Sequence, residues 1–321
     1  MRILKSDNGR ENNILIVIAG ATAVGKTALS IELAKTLQTE ILSADARQFY
    51  KETVIGTATP SMDERQGVIH HFIGHLSIFD YYNVAMYEEE ALKLLNELFK
   101  KNQYLILTGG SGLYIDAICS GIDALPDIDI HLRENLKERL DAEGLPSLLK
   151  ELQSLDEAYY HVVDKQNPKR VLRALEVCLQ TGQTYTSLRT QPAKQRHFDI
   201  VKICLTLARD TLNQQINLRT DEMLKNGFLE EAKALFPYRD LNSLNTVGYK
   251  ELFAYFDGKY SLPTCIEKIK THTRRYAKRQ MTWFRKNNEY LYFEPSQYDD
   301  IINFITNRNK EGFFLQKNIS C

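Results

Sequence analysis

Nowhere is the sequence apolar for long enough to cross a membrane, since no run approaches the roughly 18 to 20 residues a spanning helix needs. Cysteine is sparse and scattered. Cys119, Cys178, Cys204, Cys265 and Cys321 include no CxxC pair, which argues against a zinc site or a disulfide framework and for buried or incidental thiols. No charge of one sign dominates either: 41 Lys and Arg balance 41 Asp and Glu. There is no global field to draw the chain onto a polyanion, so any such site must be local. The start, MRILKSDNGRENN, lacks the apolar segment of a signal peptide, and the expectation is a cytoplasmic protein. Internal repeats and low-complexity linkers are also missing. What remains is a chain of 321 residues, 43% apolar and 26% charged, with room for a large core domain and a smaller one.

The first 120 residues alternate two patterns. ILIVIA (14–19) is a continuous apolar run of β-branched type, as a strand buried on both faces should be. GATAVGKT turns it into ALSIELAKTL, where Leu29, Leu33 and Leu37 recur at helical spacing. TEILSADA and YLILTGG (104–110) read as further strands, with helical AMYEEEALKLLNELFKK (85–101) between them. The alternation predicts an α/β fold with a parallel sheet flanked by helices. From about residue 123, HLRENLKERLDAEG, PSLLKELQSLDEAYYHVV and NPKRVLRALEVCLQTG are consecutive helical patterns without a strand. They predict an all-α insertion at 123–197, splitting a core of 1–122 and 198–321. FDIVKICLTLA (198–208) restores a strand, and helices follow, the last over 263–286. The stretch after 295 has no clear pattern.

GATAVGKT fits GxxxxGK[ST] and sits between a strand and a helix, as a P-loop requires. In such a loop successive backbone N–H groups, here from Gly20, Ala21, Thr22, Ala23, Val24 and Gly25, point at phosphate oxygens. Lys26 adds a point charge and Thr27 can reach a Mg²⁺ ion. A nucleotide hydrolase would also place a metal-binding aspartate at the end of another strand. YLILTGG ends on Thr108, Gly109 and Gly110 instead. A small-molecule kinase using ATP stays open, with Asp45 as base. Asp45 ends the second strand pattern, where ligands of open α/β sheets gather, although a turn or helix cap would also use an aspartate there. TGGSGLY (108–114) would bring Ser111 to the same crevice.

The ordered segments GATAVGKT, SADARQFY (43–50), VIGTATP (54–60), HHF (70–72), TGGSGLY, NPKRVLRALEV (167–177), TVGYKEL (246–252) and TRRYAKRQMTWFR (273–285) resemble the tRNA dimethylallyltransferase family. The resemblance runs from about residue 14 to about 293. It implies a P-loop NTPase-like core and transfer of a dimethylallyl group from dimethylallyl diphosphate to N6 of adenosine 37 in tRNAs reading codons that begin with U. Diphosphate is released, so the P-loop would grip a leaving group. The partners implied are the tRNA anticodon stem-loop and the diphosphate donor, with Mg²⁺ as cofactor and no membrane; a monomer is expected. The resemblance makes Asp45 the general base and puts Ser111 and Arg133 in the catalytic set, with Arg219 beside the diphosphate. It assigns tRNA contact to Asp45, Ala46, Arg47 and Gln48, to Lys169, Arg170 and Arg173, and to Thr246, Val247, Gly248 and Tyr249. The sequence departs from the family pattern at Ala21, Ala46, Val54, Thr59 and Gly74, which puts the tRNA set or the catalytic efficiency in question.

The late helix adds support without the resemblance. Ile266, Ile269, Thr273, Tyr276, Gln280 and Trp283 follow one stripe at helical spacing, which predicts a packing face. Arg274, Lys278 and Arg285 follow another, with Arg275, Arg279 and Lys286 beside it, and two cationic rows on a neutral chain suit phosphate contacts. His70, His71 and His75 have ligand-like spacing, but the surrounding VIHHFIGHLS is not helical, so zinc is not expected.

Overall fold

The computed structural model describes residues 13–123, 125–189 and 193–307. Residues 1–12 of the polar start, Cys321 and most of the unpatterned end lie outside the described residues. The chain divides into two compact units: one comprises residues up to Cys119 and from Arg196 on, the other Ser120–Gln195.

The first unit is built on a sheet. ILIVIAG forms β1 (Ile14–Gly20), buried along its whole length. The other strands are β2 (Ile41–Ser43), β3 (His70–His71), β4 (Tyr104–Gly109), β5 (Asp199–Leu205) and β6 (Leu291–Phe293). Their order is β3-β2-β4-β1-β5-β6, and every pairing is parallel. The expected parallel sheet is therefore present, with two short edge strands added. Side chains of β1 alternate between two apolar layers. Leu15 and Val17 join Leu42, Tyr87, Leu95 and Leu107 on one face. Ile16 and Ile18 join Leu29, Leu33, Ile106 and Ile203 on the other. A strand with two dry faces has no polar alternation, which is why its sequence is an unbroken apolar run. Each such side chain, once buried, contributes about 1.5–3 kcal/mol.

Helices α1 (Lys26–Thr36), α2 (Met62–Arg65) and α3 (Val84–Leu98) connect the first four strands, and α4 (Gly112–Ser120) follows β4. The second unit contains α5 (Ile130–Glu143), α6 (Leu145–Leu155), α7 (Glu157–Val162), α8 (Pro168–Thr181) and α9 (Tyr185–Leu188) around Leu136, Leu148, Leu152, Val171 and Leu175. The single helix read over PSLLKELQSLDEAYYHVV is broken at Asp156. Its backbone leaves the helical region, and its buried carboxylate accepts the Tyr159 N–H at 2.9 Å and the Thr186 N–H at 2.7 Å. Back in the first unit follow α10 (Arg209–Lys225), α11 (Phe228–Leu235), α12 (Tyr249–Phe256), α13 (Leu262–Phe284) and α14 (Tyr298–Asn307). No helix among the described residues is long and apolar enough to cross a membrane.

Because β2, β4 and β1 are parallel and in register (Ser43 opposite Thr108, Thr108 opposite Ile18), their chain exits lie at one edge. The loop after Gly20, the turn holding Asp45 and the turn holding Gly110 are brought together there, at the carboxyl ends of the strands.

Candidate active site

Gly20 closes β1 with φ of 144°, and a Cβ there would stand 2.8 Å from the Leu205 carbonyl oxygen, so the loop leaves the sheet where only glycine fits. Gly25, left-handed as well, opens α1. Lys26 Nζ donates to the Gly20 carbonyl at 3.1 Å and the Ala21 carbonyl at 2.7 Å. Burial lowers its pKa to about 8, against the raising effect of the Asp45 charge, while Arg219 adds to the lowering. Thr22 is held twice: its N–H donates to Gln280 Oε1 at 2.9 Å, and its hydroxyl accepts from Arg219 Nη1 at 3.4 Å. Burial lowers the Arg219 pKa, and the Asp45 carboxylate opposes it. Thr27 is exposed on the first turn of α1, in a cleft shared with Lys26, Arg219 and Glu64.

Asp45 begins the turn after β2. Its Oδ1 accepts the Arg47 N–H at 3.1 Å, so the turn-forming reading of this aspartate holds alongside any chemical one. Ser111 caps the same structure from the other side, its hydroxyl accepting the Ala46 N–H at 3.1 Å and bonding to the Tyr276 phenol. Arg47 sends its guanidinium to the carbonyls of Asn242, Ser243 and Asn245 and thereby anchors the turn that leads into Thr246–Tyr249. Gln48 donates its amide to the Thr57 and Ala58 carbonyls, holding the VIGTATP loop. That loop is also gripped by Glu231, which accepts the N–H groups of Val54, Ile55 and Gly56 and the buried Tyr249 hydroxyl. The Gly248 N–H goes to Glu251 at 2.7 Å, and Glu251 is held in turn by His272 at 2.6 Å.

One cavity collects Thr22, Ala23, Asp45, Arg47, Arg219 and the Thr246–Gly248 backbone. Ile216, Met223 and Ile269 supply its apolar wall, and Tyr276 faces it. A pocket lined by both charged and apolar side chains suits a ligand with a polar head and a hydrocarbon tail. Burial and the Asp45 charge push the Tyr276 phenol up, so it is a neutral O–H at physiological pH. Periodicity alone puts Tyr276 and Gln280 on a packing stripe. Their polar ends lie in the site, whereas Cys265, Ile269, Ala277 and Phe284 are the buried apolar members of α13. Three polar residues inside that stripe, Thr273, Tyr276 and Gln280, are the signal the sequence offers.

Arg133 belongs to the helical unit, paired with Glu176 at 3.2 Å, and Arg173 meets the same carboxylate at 3.3 Å. Lys169 and Arg170 are exposed on the first turn of α8. On α13, Arg274 is tied to Asn217 Oδ1 at 2.7 Å, while Arg275, Lys278 and Arg279, like Arg285 and Lys286 just beyond its end, are exposed. His71 pairs with Glu40 at 2.6 Å and His70 with the Val68 carbonyl. No group of three or more His, Cys, Asp or Glu able to hold a metal occurs among the described residues.

The family profile described as IPP transferase matches residues 48–287 of this chain. A tRNA dimethylallyltransferase 1 of Bacteroides thetaiotaomicron is 49% identical over 295 residues, 92% of this chain and 96% of that protein. A tRNA dimethylallyltransferase of Christiangramia forsetii is 50% identical over 283 residues, 88% of this chain and 94% of that protein. Among solved structures, the full-length tRNA isopentenylpyrophosphate transferase from Bacillus halodurans superposes with a TM-score of 0.69 at 34% identity, covering 94% of this chain and 97% of that one. A eukaryotic dimethylallyltransferase acting on tRNA gives a TM-score of 0.72 at 26% identity, covering 92% and 80% respectively.

Proposed function

The chain belongs to the IPP transferase family, and on that basis we propose that its P-loop holds the diphosphate of dimethylallyl diphosphate while Asp45 takes the proton from N6 of adenosine 37 in the anticodon loop. It is a transferase that places a dimethylallyl group on tRNA. The observation that carries the finer reading is that Arg219 and Ala23 line both the cleft of Lys26 and Thr27 and the cavity where Thr22, Asp45 and an apolar wall meet.

In the step proposed, the bond between the allylic carbon and the diphosphate oxygen breaks, the N6 lone pair forms a bond to that carbon, and the N6 proton passes to the Asp45 carboxylate. N6 becomes acidic only as it is alkylated, so a carboxylate suffices as base. Negative charge grows on the leaving oxygen. An ammonium carries three N–H donors, and Lys26 directs two at loop carbonyls, so one serves a phosphate oxygen. Arg219 and the loop N–H groups complete the charge stabilisation, except those of Thr22 and Val24, which the expectation included but which Gln280 and the Ala21 carbonyl accept. Ile216, Met223 and Ile269 would shelter the prenyl carbons from water.

A diphosphate substrate generally travels with a divalent metal, and Mg²⁺ keeps most of its waters and takes few protein ligands. An exposed hydroxyl beside the P-loop lysine fits a metal held mainly by phosphate oxygens, so Thr27 is the residue that would hold Mg²⁺. The metal would neutralise part of the charge on the departing diphosphate. Exposed Lys169 and Arg170 on the helical unit, together with Lys278 and Arg279 on α13, would contact tRNA phosphates in the cytoplasm.

Thermal unfolding separates this reading from an ATP-dependent kinase. Dimethylallyl diphosphate with Mg²⁺ at about a hundredfold over its Kd is expected to raise the unfolding temperature by roughly 3 °C or more. Protection by ATP with none from the allylic diphosphate would sink the donor assignment.

A further inference from the structure

The glycine-rich turns that end β1 and β4 are joined by one side chain from α13. Gln280 is 5% exposed. Its Oε1 accepts the Thr22 N–H at 2.9 Å, and its Nε2 donates to the Gly110 carbonyl at 2.9 Å. One partner is a backbone donor and the other a backbone acceptor, so the network allows a single orientation of the amide. A Cβ on Gly110 would overlap the Gln280 nitrogen, which accounts for the second glycine of TGGSG: the backbone must be bare for the amide to reach it. Thr22 carries Arg219 on its hydroxyl, so this one loop residue is held by its side chain from α10 and by its peptide from α13.

We propose that Gln280 is a positioning residue for the donor diphosphate, holding the Thr22 peptide so that the Ala23–Lys26 stretch is pre-shaped for phosphate oxygens. The proposal rests on the P-loop being the diphosphate cradle. A loop that must be ordered by its ligand binds more weakly than one already in place, because the free energy of ordering is subtracted from the affinity. The amide itself touches no reacting atom. Its effect should therefore fall on the donor's KM and leave kcat and the KM for tRNA nearly untouched.

Three variants distinguish positioning from simple packing. Gln280→Met keeps the volume and removes both hydrogen bonds; the donor KM should rise roughly tenfold, as expected for the loss of about one buried hydrogen bond's worth of pre-organisation. Gly110→Ala displaces the amide from the other end and should give the same donor shift. Gln280→Glu can still accept from Thr22 but, ionised, cannot donate to Gly110; protonated, its carboxyl donates again. Its donor KM relative to the unmodified protein should therefore recover as pH falls from about 8 to about 6, since burial raises a carboxyl pKa. Trp283, the one tryptophan of the chain, lies three residues further along α13, and its fluorescence gives a donor titration independent of turnover.

The inference is overturned if Gln280→Met and Gly110→Ala, with unfolding temperatures close to the parent's, both keep the donor KM within about twofold. Should Gln280→Met fail to fold, a pH-independent ratio for Gln280→Glu overturns it equally. An unmodified protein that does not prenylate tRNA would instead defeat the proposed function, so the two failures are told apart.

Discussion

Replacing Asp45 by Asn is expected to slow dimethylallyl transfer on the order of 10³-fold, within the range for loss of a general base, while donor and tRNA still bind. The substitution is close to isosteric. The amide oxygen can still accept the Arg47 N–H that Oδ1 accepts at 3.1 Å, so the turn after β2 should survive. What disappears is the carboxylate in the cavity with Thr22, Arg219 and Tyr276, the acceptor for the N6 proton. Single-turnover rates with pre-bound tRNA would isolate the chemical step from binding. A rate within about fivefold of the parent's would remove Asp45 from the role of base.

The second large effect concerns Lys26. Lys26→Met retains much of the stem and deletes the charge, so kcat/KM for the donor should fall by about 10²–10³, the scale on which single oxyanion-stabilising groups act. The same lysine gives a pH signature. Burial sets its pKa at about 8 in the protein without donor, so below that pH the ammonium is charged and ready, and above it a proton must be taken up on binding. The donor KM should accordingly be flat at low pH and climb above about 8, by at most tenfold per pH unit. Removing the charge also removes the climb: Lys26→Met should show a uniformly high KM. A Lys26→Met variant whose donor KM matches the parent's at every pH would mean that Lys26 does not meet the phosphate.

Some of this structure is written plainly in the chain. β1, its loop and α1 are contiguous, and each has its own signal: an unbroken apolar run, glycines at fixed offsets, and a 3.6-residue stripe. β3 and β6 have two and three residues, too few for any period to register, and only pairing to β2 and β5 defines them. The break at Asp156 has a local signal, an aspartate able to cap the Tyr159 N–H, but its second partner, Thr186, lies thirty positions away and leaves none. On α13 the expected packing stripe is only partly buried: Ile269 and Gln280 are, Trp283 is exposed, and Cys265, Ala277 and Phe284 are buried off the stripe; nor can periodicity say what a position faces. Ile269 lines the cavity wall, Tyr276 meets Ser111 and Gln280 meets the P-loop, although all three belong to one stripe. Arg47 and Gln48 show the converse limit. Their chemistry suits RNA, yet in the fold their guanidinium and amide hold neighbouring loops in place.

Mass spectrometry of nucleosides from tRNA of a host lacking its own transferase decides whether the P-loop and Asp45 serve prenyl transfer to an anticodon-loop adenine. N6-dimethylallyladenosine should appear when the parent protein is supplied and be absent with Asp45→Asn. Folded parent protein that leaves the tRNA unmodified, or an Asp45→Asn variant that modifies it fully, would refute that assignment.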